Sequence, residues 1–216
     1  MCSHYEAPSR QSMLEAYGIA SEETWGTDLW PGYIGPFVRP ALETDPHDEA
    51  APTLEVLTGT FGLLPSWAKD EKLARRTYNA RSETVASKPS FRVAWRQARH
   101  CIIPAAAIYE PDWRSGKAVP TRICRRDGEA MSLAGLWERW TSPNGEIVHS
   151  YTMLTVNADD HPLMREFHRP GSEKRIVVIL PQAQVHAWLI ATAADSAAFL
   201  RQYPDERLTA VPRPAR

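Results

Sequence analysis

Cysteine is scarce in this chain, and long apolar runs are absent. The 216 residues include three cysteines, Cys2, Cys101 and Cys124. Their odd number and wide spacing exclude a disulfide framework and a CxxC metal knuckle. No apolar run approaches the roughly 20 residues that a membrane span needs. The first ten residues, MCSHYEAPSR, lack the apolar core of a secretory signal. These absences predict a reduced, cytoplasmic protein that contacts no membrane.

Several common cofactor motifs are missing as well. The sequence contains no GxGxxG, Walker or HExxH pattern, so dinucleotide, nucleotide and zinc-protease functions have no support. We therefore expect neither a metal ion nor an organic cofactor. What is present, 43% hydrophobic and 24% charged residues, is typical of a soluble, folded domain.

The charge is distributed unevenly along the chain. The net charge of −1 argues against a generic nucleic-acid binder. Residues 69–99, however, hold nine basic and three acidic residues, and residues 112–126 hold five basic residues and one acidic residue. A local positive field can attract a phosphate backbone although the total charge is near zero. The same pattern also suits a solvated surface, so charge alone leaves both interpretations open.

Short β-rich runs recur between turns and helix candidates. The runs are LEVLTGTFGLL (54–64), CIIPAAAIYE (101–110), VPTRICR (119–125), MSLAGLWERW (131–140), VHSYTMLTV (148–156) and IVVIL (176–180). The Pro-Asn-Gly sequence at 143–145 predicts a hairpin. Helices are expected near 69–77, at 89–98 and after residue 181. This pattern predicts a single α+β domain over residues 1–216, built on a mostly antiparallel sheet. We expect an acidic surface loop at 40–53 and a proline-rich tail from about 204 to 216.

Cys2 is the first candidate for chemistry. Removal of Met1 would expose a 1,2-aminothiol whose α-amine has an ordinary pKa near 7.7–8.0. Such a group attacks an aldehyde to form an imine, and the thiol then closes a five-membered thiazolidine. Two alternatives remain open from this residue alone. Cys2 can serve as an N-terminal hydrolase nucleophile, or position 2 can be an ordinary chain terminus.

Six sequence blocks follow Cys2 in a characteristic order. They are FGLLPSWA (61–68), YNARSETVASKPSF (78–91), CIIPAAAIYEPDW (101–113), LAGLWERW (133–140), YTMLTVNADDHPLMREFH (151–168) and KRIVVIL (174–180). Together with Cys2 they resemble the SRAP family, the SOS response-associated peptidases. The resemblance covers nearly the whole chain. It implies a barrel-like form of the predicted sheet with flanking helices. It also implies that the protein senses abasic sites in single-stranded DNA and shields them as covalent crosslinks.

The resemblance also implies roles for individual residues. The thiazolidine-forming cysteine corresponds to Cys2, and the active-site asparagine of the Asn-Ala-Arg segment corresponds to Asn79. The family's glutamate and histidine correspond to Glu110 and His168. Two further residues match the family's DNA contacts: Arg81 on the backbone and Trp67 in the Pro-Ser-Trp loop.

This chain departs from the family pattern at three places. The common Met-Cys-Gly-Arg start is replaced by Met-Cys-Ser-His, and we expect His4 to substitute partly for the lost positive charge. The family's arginine after the active-site histidine corresponds to Arg169 or to Arg175. We favour Arg175 because it directly precedes the apolar IVVIL run. The aromatic residue that usually follows the glutamate is displaced to Trp113.

Three functions are compatible with these residues. The first is a monomeric abasic-site sensor that forms a covalent adduct with single-stranded DNA through Cys2. The second is an N-terminal-nucleophile thiol peptidase or amidohydrolase, whose only natural substrate can be its own Met1–Cys2 bond. The third is a non-covalent single-stranded DNA-binding module that uses the basic 69–99 region. The basic stretches and Trp67 favour the first.

Overall fold

The β-rich runs form strands in the computed structural model, which describes residues 2–41 and 54–213. The strands are β1 Tyr5–Glu6, β2 Asp28–Leu29, β3 Ile34–Pro40, β4 Leu54–Phe61, β5 Asn79–Arg81, β6 His100–Ala105, β7 Ala107–Asp112, β8 Val119–Arg125, β9 Met131–Thr141, β10 Ile147–Asn157, β11 Arg175–Val177, β12 Ile179–Leu180 and β13 Leu208–Pro212. The helices are α1 Arg10–Tyr17, α2 Arg92–Arg96 and α3 Val185–Ile190. Short 3₁₀ helices are formed by Glu71–Arg76, Met164–Glu166, Gln182–Gln184, Ser196–Phe199 and Asp205–Arg207.

Five strands close into a barrel. Their order is β10–β4–β3–β6–β9, and β9 pairs with β10 to complete the ring. Four of these five pairings are antiparallel, while β4 and β10 run parallel. Because the ring is closed, it has no free edge strand. Strand β5 lies outside the ring and pairs in parallel with β10. The predicted fold class, an α+β domain on a mostly antiparallel, barrel-like sheet, is confirmed.

The hairpin that joins β9 to β10 was predicted from its turn residues. Gly145 donates its backbone N–H to the carbonyl of Ser142 at 2.9 Å and has a φ of 83°. Positive φ values are strained for other residues, which explains the glycine after Pro-Asn. The two strands carry mainly buried residues because one face lines the barrel and the other is covered by neighbouring elements.

Aromatic side chains fill the barrel. Phe61 stacks on Tyr151 with ring centroids 5.6 Å apart, and Phe37 packs against Tyr151 at 5.7 Å. The hydroxyls of Tyr5 and Tyr151 lie 2.6 Å apart, so each satisfies the other in the interior. Burial of one such ring contributes about 2–3 kcal/mol. The first strand of the chain is therefore anchored to the barrel through Tyr5.

A second, antiparallel sheet carries the N-terminus. Its order is β13–β8–β7–β1–β2. Strand β1 lies inside this sheet, with Tyr5 opposite Ile108 of β7 on one side and Leu29 of β2 on the other. The residues just before β1 are consequently held in the middle of the molecule.

Several sequence predictions need correction. The proline-rich tail expected from residue 204 carries a strand, Leu208–Pro212, which pairs with β8 as β13. The helix expected at 69–77 is a 3₁₀ turn, and the one at 89–98 is only the short α2. Helix α1, capped by the Ser9 side chain, was not predicted. Most of the loop expected at 40–53 lies outside the described residues. Tertiary pairing decided β13, since its five residues carry no strong local strand pattern.

Within residues 2–41 and 54–213, we find no helix with the length and apolar character needed to cross a membrane.

Replacement of Gly62 by Ala tests how tightly the segment after β4 packs. Gly62 has a φ of +129°, and a Cβ there would lie 2.0 Å from the backbone oxygen of Ala74. Because both strain and overlap oppose the side chain, we expect the free energy of unfolding in urea to fall by about 3 kcal/mol or more. Gly145→Ala is the matched control: its φ is +83° with no atom within 4 Å. It should lose only about 1–2 kcal/mol from strain. Equal losses in the two variants would contradict the packing argument.

Candidate active site around the N-terminal strand

Cys2 is buried at the start of the central N-terminal strand. Only 1% of its surface is exposed. Its thiol donates to the carbonyl of His4 at 3.3 Å, and the same carbonyl accepts the backbone N–H of Tyr109 at 2.9 Å. Pairing with β7 thus extends beyond β1 and holds the backbone next to Cys2.

Asn79 reaches Cys2 from the barrel side. Strand β5 places Asn79 opposite Met153 of β10. The Asn79 Nδ2 donates to the carbonyl of Cys2 at 2.7 Å. Its Oδ1 is buried and has no hydrogen-bond partner among the residues that the structure describes. The amide therefore fixes the Cys2 backbone with one end and has an acceptor to spare at the other.

Glu110 and His168 form the third part of this site. Glu110 lies on β7 and is 2% exposed. His168 Nδ1 lies 3.4 Å from Glu110 Oε2. The backbone N–H of His168 donates to the carbonyl of Pro111 at 2.9 Å. This hydrogen bond holds the 164–168 segment against β7 and places the histidine ring near Glu110. His168 has a φ of 62°, a left-handed conformation that is uncommon outside glycine and often found at functional sites.

The four residues that the sequence resemblance singled out, Cys2, Asn79, Glu110 and His168, therefore lie together. They come from four separate parts of the chain: the N-terminal segment, β5, β7 and the segment after Glu166. The family model described as "SOS response associated peptidase (SRAP)" matches residues 1–214. The chain belongs to this family.

Relatives and a solved structure agree with this assignment. Abasic site processing protein YoqW from Bacillus subtilis (strain 168) is 35% identical over 163 residues, which are 69% of each protein. Abasic site processing protein HMCES from Gallus gallus is 29% identical over 122 residues, or 46% of this chain and 36% of that protein. An X-ray structure of a protein from Bordetella bronchiseptica is 46% identical and superimposes with a TM-score of 0.89, covering 99% of this chain and 100% of that one.

Burial dominates the electrostatics of this SRAP site. It raises the pKa of Glu110 to about 7 and lowers the pKa of His168 to about 4. It also raises the pKa of the Cys2 thiol to about 12, and the nearby Glu110 carboxylate acts in the same direction. Desolvation disfavours every charged form here. At neutral pH the histidine and thiol are neutral, while Glu110 is close to half-ionised and can accept or return one proton.

The residues expected to contact DNA differ in how far their side chains are exposed. Trp67 is 53% exposed, beside a surface pocket that is also lined by Lys69, Lys72 and Arg76. Arg81 is 46% exposed on its side chain and pairs with Glu173 at 2.9 Å. Both side chains are accessible to a ligand.

Arg175 differs from our expectation, since only 2% of its surface is exposed. Its guanidinium pairs with Glu83 at 2.9 Å and also with Glu173, and donates to the carbonyl of Thr155 at 2.8 Å. With these contacts in place, it positions the 173–175 segment rather than facing a strand of DNA. Arg169 is exposed, and its guanidinium lies 5.8 Å from the ring centre of Trp113.

His4 is also placed differently from the expected phosphate contact. Its Nε2 lies 2.7 Å from Asp28 Oδ1, and its ring is stacked between Trp30 and Tyr109. Trp30 and Asp28 carry no recognisable sequence motif, so their part in this contact could not be predicted from the sequence. Among the described residues, no group of three or more His, Cys, Asp and Glu side chains is arranged to hold a metal ion.

The buried, neutral state of His168 predicts a pH-dependent stability. The unfolded-state pKa of a histidine is near 6.5, whereas the folded value is about 4. Between these values the unfolded chain binds a proton that the folded chain does not, so acidification favours unfolding. His168→Asn retains tolerance of positive φ and removes this titration. Relative to the variant, the wild type should lose free energy of unfolding in urea as the pH falls from 6.5 to 4.

Two other buried titrating groups affect this comparison. The pKa of His100 is also lowered by burial to about 4, and that of Glu110 is raised. His100 occurs in both proteins and cancels in the difference, whereas Glu110 lies 3.4 Å from the replaced ring, so both proteins are compared with Glu110→Gln in place. Parallel stability curves for the two proteins would show that His168 is not held in its neutral form.

Proposed function

We propose that this protein senses abasic sites in single-stranded DNA and shields them as a covalent thiazolidine on Cys2, after removal of Met1. The observation that carries the proposal is the convergence on Cys2. The Asn79 amide holds its carbonyl at 2.7 Å, and the Glu110–His168 pair lies beside it. Relatives that are named abasic site processing proteins support the same substrate.

The proposed reaction balances without an oxidant or a cofactor. The abasic sugar exists mainly as a closed hemiacetal, and its open form carries an aldehyde. The free α-amine of Cys2 attacks the aldehyde carbon, and loss of one water gives an imine. The Cys2 Sγ then adds to the imine carbon while the thiol proton moves to the nitrogen. One aldehyde and one aminothiol thus give one thiazolidine and one water.

Glu110 and His168 supply the proton transfers. With a pKa of about 7, Glu110 can take a proton from the Cys2 ammonium and return one to the departing hydroxyl. A general acid–base group works best when its pKa is near the working pH. Neutral His168 can accept a proton from the sugar hydroxyl as the hemiacetal opens. Asn79 keeps the Cys2 backbone in place, and its buried Oδ1 is available for the amine or a sugar hydroxyl.

DNA contacts are assigned to the accessible residues. Arg81 can bind a phosphate through two N–H groups once it leaves Glu173, and the exposed Arg169, next to His168 in the sequence, offers a second cation. Trp67 stacks or wedges against a base, an interaction worth about 1–3 kcal/mol. Arg175 keeps Glu173 and Thr155 in place behind this surface.

A monomeric state and a cytoplasmic location remain predictions from the sequence.

The state of the thiol favours an aldehyde trap over a peptidase. A cysteine nucleophile that attacks amides needs a lowered pKa to supply thiolate, whereas burial raises the pKa of Cys2 to about 12. An imine carbon is a much stronger electrophile than an amide, so a neutral thiol that passes its proton to the nitrogen suffices. The Met1–Cys2 bond is the one peptide bond whose cleavage the proposed function requires, and the neutral Cys2 thiol is not assigned as its nucleophile.

A denaturing gel tests the covalent adduct directly. The protein, with its N-terminus checked by intact mass, is incubated with a single-stranded oligonucleotide that carries one abasic site. We expect a heat-resistant shifted band that is absent with undamaged DNA and absent for Cys2→Ala. Cys124→Ala is the matched control, since Cys124 is partly exposed and lies in β8; it should keep the band.

The other two functions make different predictions for this gel. A non-covalent module would bind the oligonucleotide under native conditions, lose it with salt, and show no band after denaturation. A peptidase without adduct chemistry would remove Met1 and show no band either. If Met1 is absent and no Cys2-dependent band forms, the crosslinking proposal is wrong.

The pH profile of crosslinking tests the role of Glu110. In the wild type, we expect an inflection on the acidic side from Glu110, whose pKa burial raises and the neighbouring Cys2 ammonium lowers, in addition to the one from the α-amine near 7.7–8.0. Glu110→Gln should lower the rate by about 10²-fold and leave only the amine inflection. Glu146→Gln, an exposed carboxylate in the hairpin turn, should keep both. An unchanged profile in Glu110→Gln would remove this residue from the proton transfers.

A further inference from the structure

Three aromatic rings are stacked next to the candidate site. The His4 ring lies between Tyr109 and Trp30, with centroid distances of 4.1 Å on both sides and interplanar angles of 10° and 12°. The guanidinium of Arg213 lies 5.2 Å from the Tyr109 ring centre. Asp28 accepts from His4 Nε2 at 2.7 Å, which fixes the middle ring within its plane. The result is an ordered stack that begins on Tyr109 of β7 and ends on Trp30.

The stack ends on an exposed indole. Trp30 is 43% exposed, while the His4 side chain is only 12% exposed. One face of the indole is therefore covered by His4, and most of the exposed surface belongs to its other face and edge. An ordered aromatic ring with one face open is the arrangement on which nucleobases stack in single-strand-binding proteins.

The neighbourhood of Trp30 suits a nucleic-acid strand. Tyr33 lies in the same turn, donates its N–H to the carbonyl of Trp30 at 2.9 Å, and is 55% exposed. A Cβ on Gly32 would lie 3.9 Å from Arg75 Nε, so the exposed Arg75 side chain runs alongside this turn. Arg75 belongs to the same 3₁₀ turn as Lys72 and Arg76, which line the pocket of Trp67. The surface between Trp30 and Trp67 therefore carries exposed aromatic rings and basic side chains, with Asp28 beside His4 and Asp70 in the pocket of Trp67.

We infer that the open face of Trp30 holds the base of a nucleotide close to the abasic site, as the next layer of the Tyr109–His4–Trp30 stack. His4 is two residues from Cys2, and each further layer adds one stacking distance. The base therefore lies on the order of 10 Å from Cys2, which corresponds to roughly one to three nucleotides of a single strand. Stacking uses the π-face that every base has, so the contact requires a base and does not select its identity. This inference rests on the proposed function.

Crosslinking rates with and without neighbouring bases test this contact. One oligonucleotide carries a single abasic site with intact bases around it. In the others, the three nucleotides on the 5′ side or the three on the 3′ side are replaced by base-free tetrahydrofuran spacers. For the wild type, we expect the intact oligonucleotide to react about tenfold faster than one of the two spacer oligonucleotides at subsaturating protein, as loss of one stacked base predicts.

The Trp30→Ala variant should bring this ratio close to one, and Trp30→Phe should restore most of it. The ratio of the two crosslinking rates separates loss of stacking from a distorted active site. A misplaced Cys2 would slow the reaction with both oligonucleotides equally and leave their ratio unchanged. Ile190→Ala provides the control for loss of an exposed apolar side chain, since Ile190 is 63% exposed at the end of α3; it should keep the wild-type ratio.

Two outcomes would overturn the inference. A wild-type ratio near one for both spacer oligonucleotides would show that no neighbouring base is held. A ratio that stays near ten in Trp30→Ala would assign the stacked base to another residue, such as Trp67. Neither outcome affects the proposed crosslink itself, which fails only when no Cys2-dependent band forms on any of these oligonucleotides.

Discussion

The site depends on the backbone hydrogen bonds that hold the N-terminal segment as an interior strand. On one side, the carbonyls of His4 and Glu6 accept from Tyr109 at 2.9 Å and Ala106 at 2.8 Å; on the other, Ala7 donates to Thr27 at 2.8 Å. Chain termini are usually poorly ordered unless they are tied down in this way. Because β1 is paired on both sides and Tyr5 is anchored inside the barrel, Cys2 has a defined position. Asn79, Glu110 and His168 can then be arranged around it.

Burial links this geometry to the chemistry. The same desolvation that accompanies a central strand keeps the thiol and His168 neutral and brings Glu110 close to half-ionisation at neutral pH. A site of this kind is suited to a neutral electrophile such as an aldehyde. One proton can move between Glu110 and the reacting groups without leaving an uncompensated charge in the interior.

Glu173 connects the buried part of the site to its surface. It pairs with the buried Arg175 and with the accessible Arg81 at the same time. A phosphate that binds Arg81 therefore removes one partner of Glu173 and leaves the other in place.

The departure from the family pattern at position 4 also changes which residues supply positive charge. His4 is used for stacking and for its contact with Asp28, so under the proposed function the positive charge that an arginine would supply there comes from other residues, such as Arg75 or Arg81.

By itself, the sequence determined the family and the fold class, and its family resemblance singled out four residues that the structure brings together. It did so because the ordered blocks around Asn79, Glu110 and His168 are specific, and because the β-rich runs and the Pro-Asn-Gly turn are strong local signals. Only the tertiary structure decided which accessory residues face a ligand. The burial of Arg175, the pairing of β13 and the stack that ends on Trp30 depend on contacts between residues far apart in the chain. A local pattern of charge or hydrophobicity does not record such contacts.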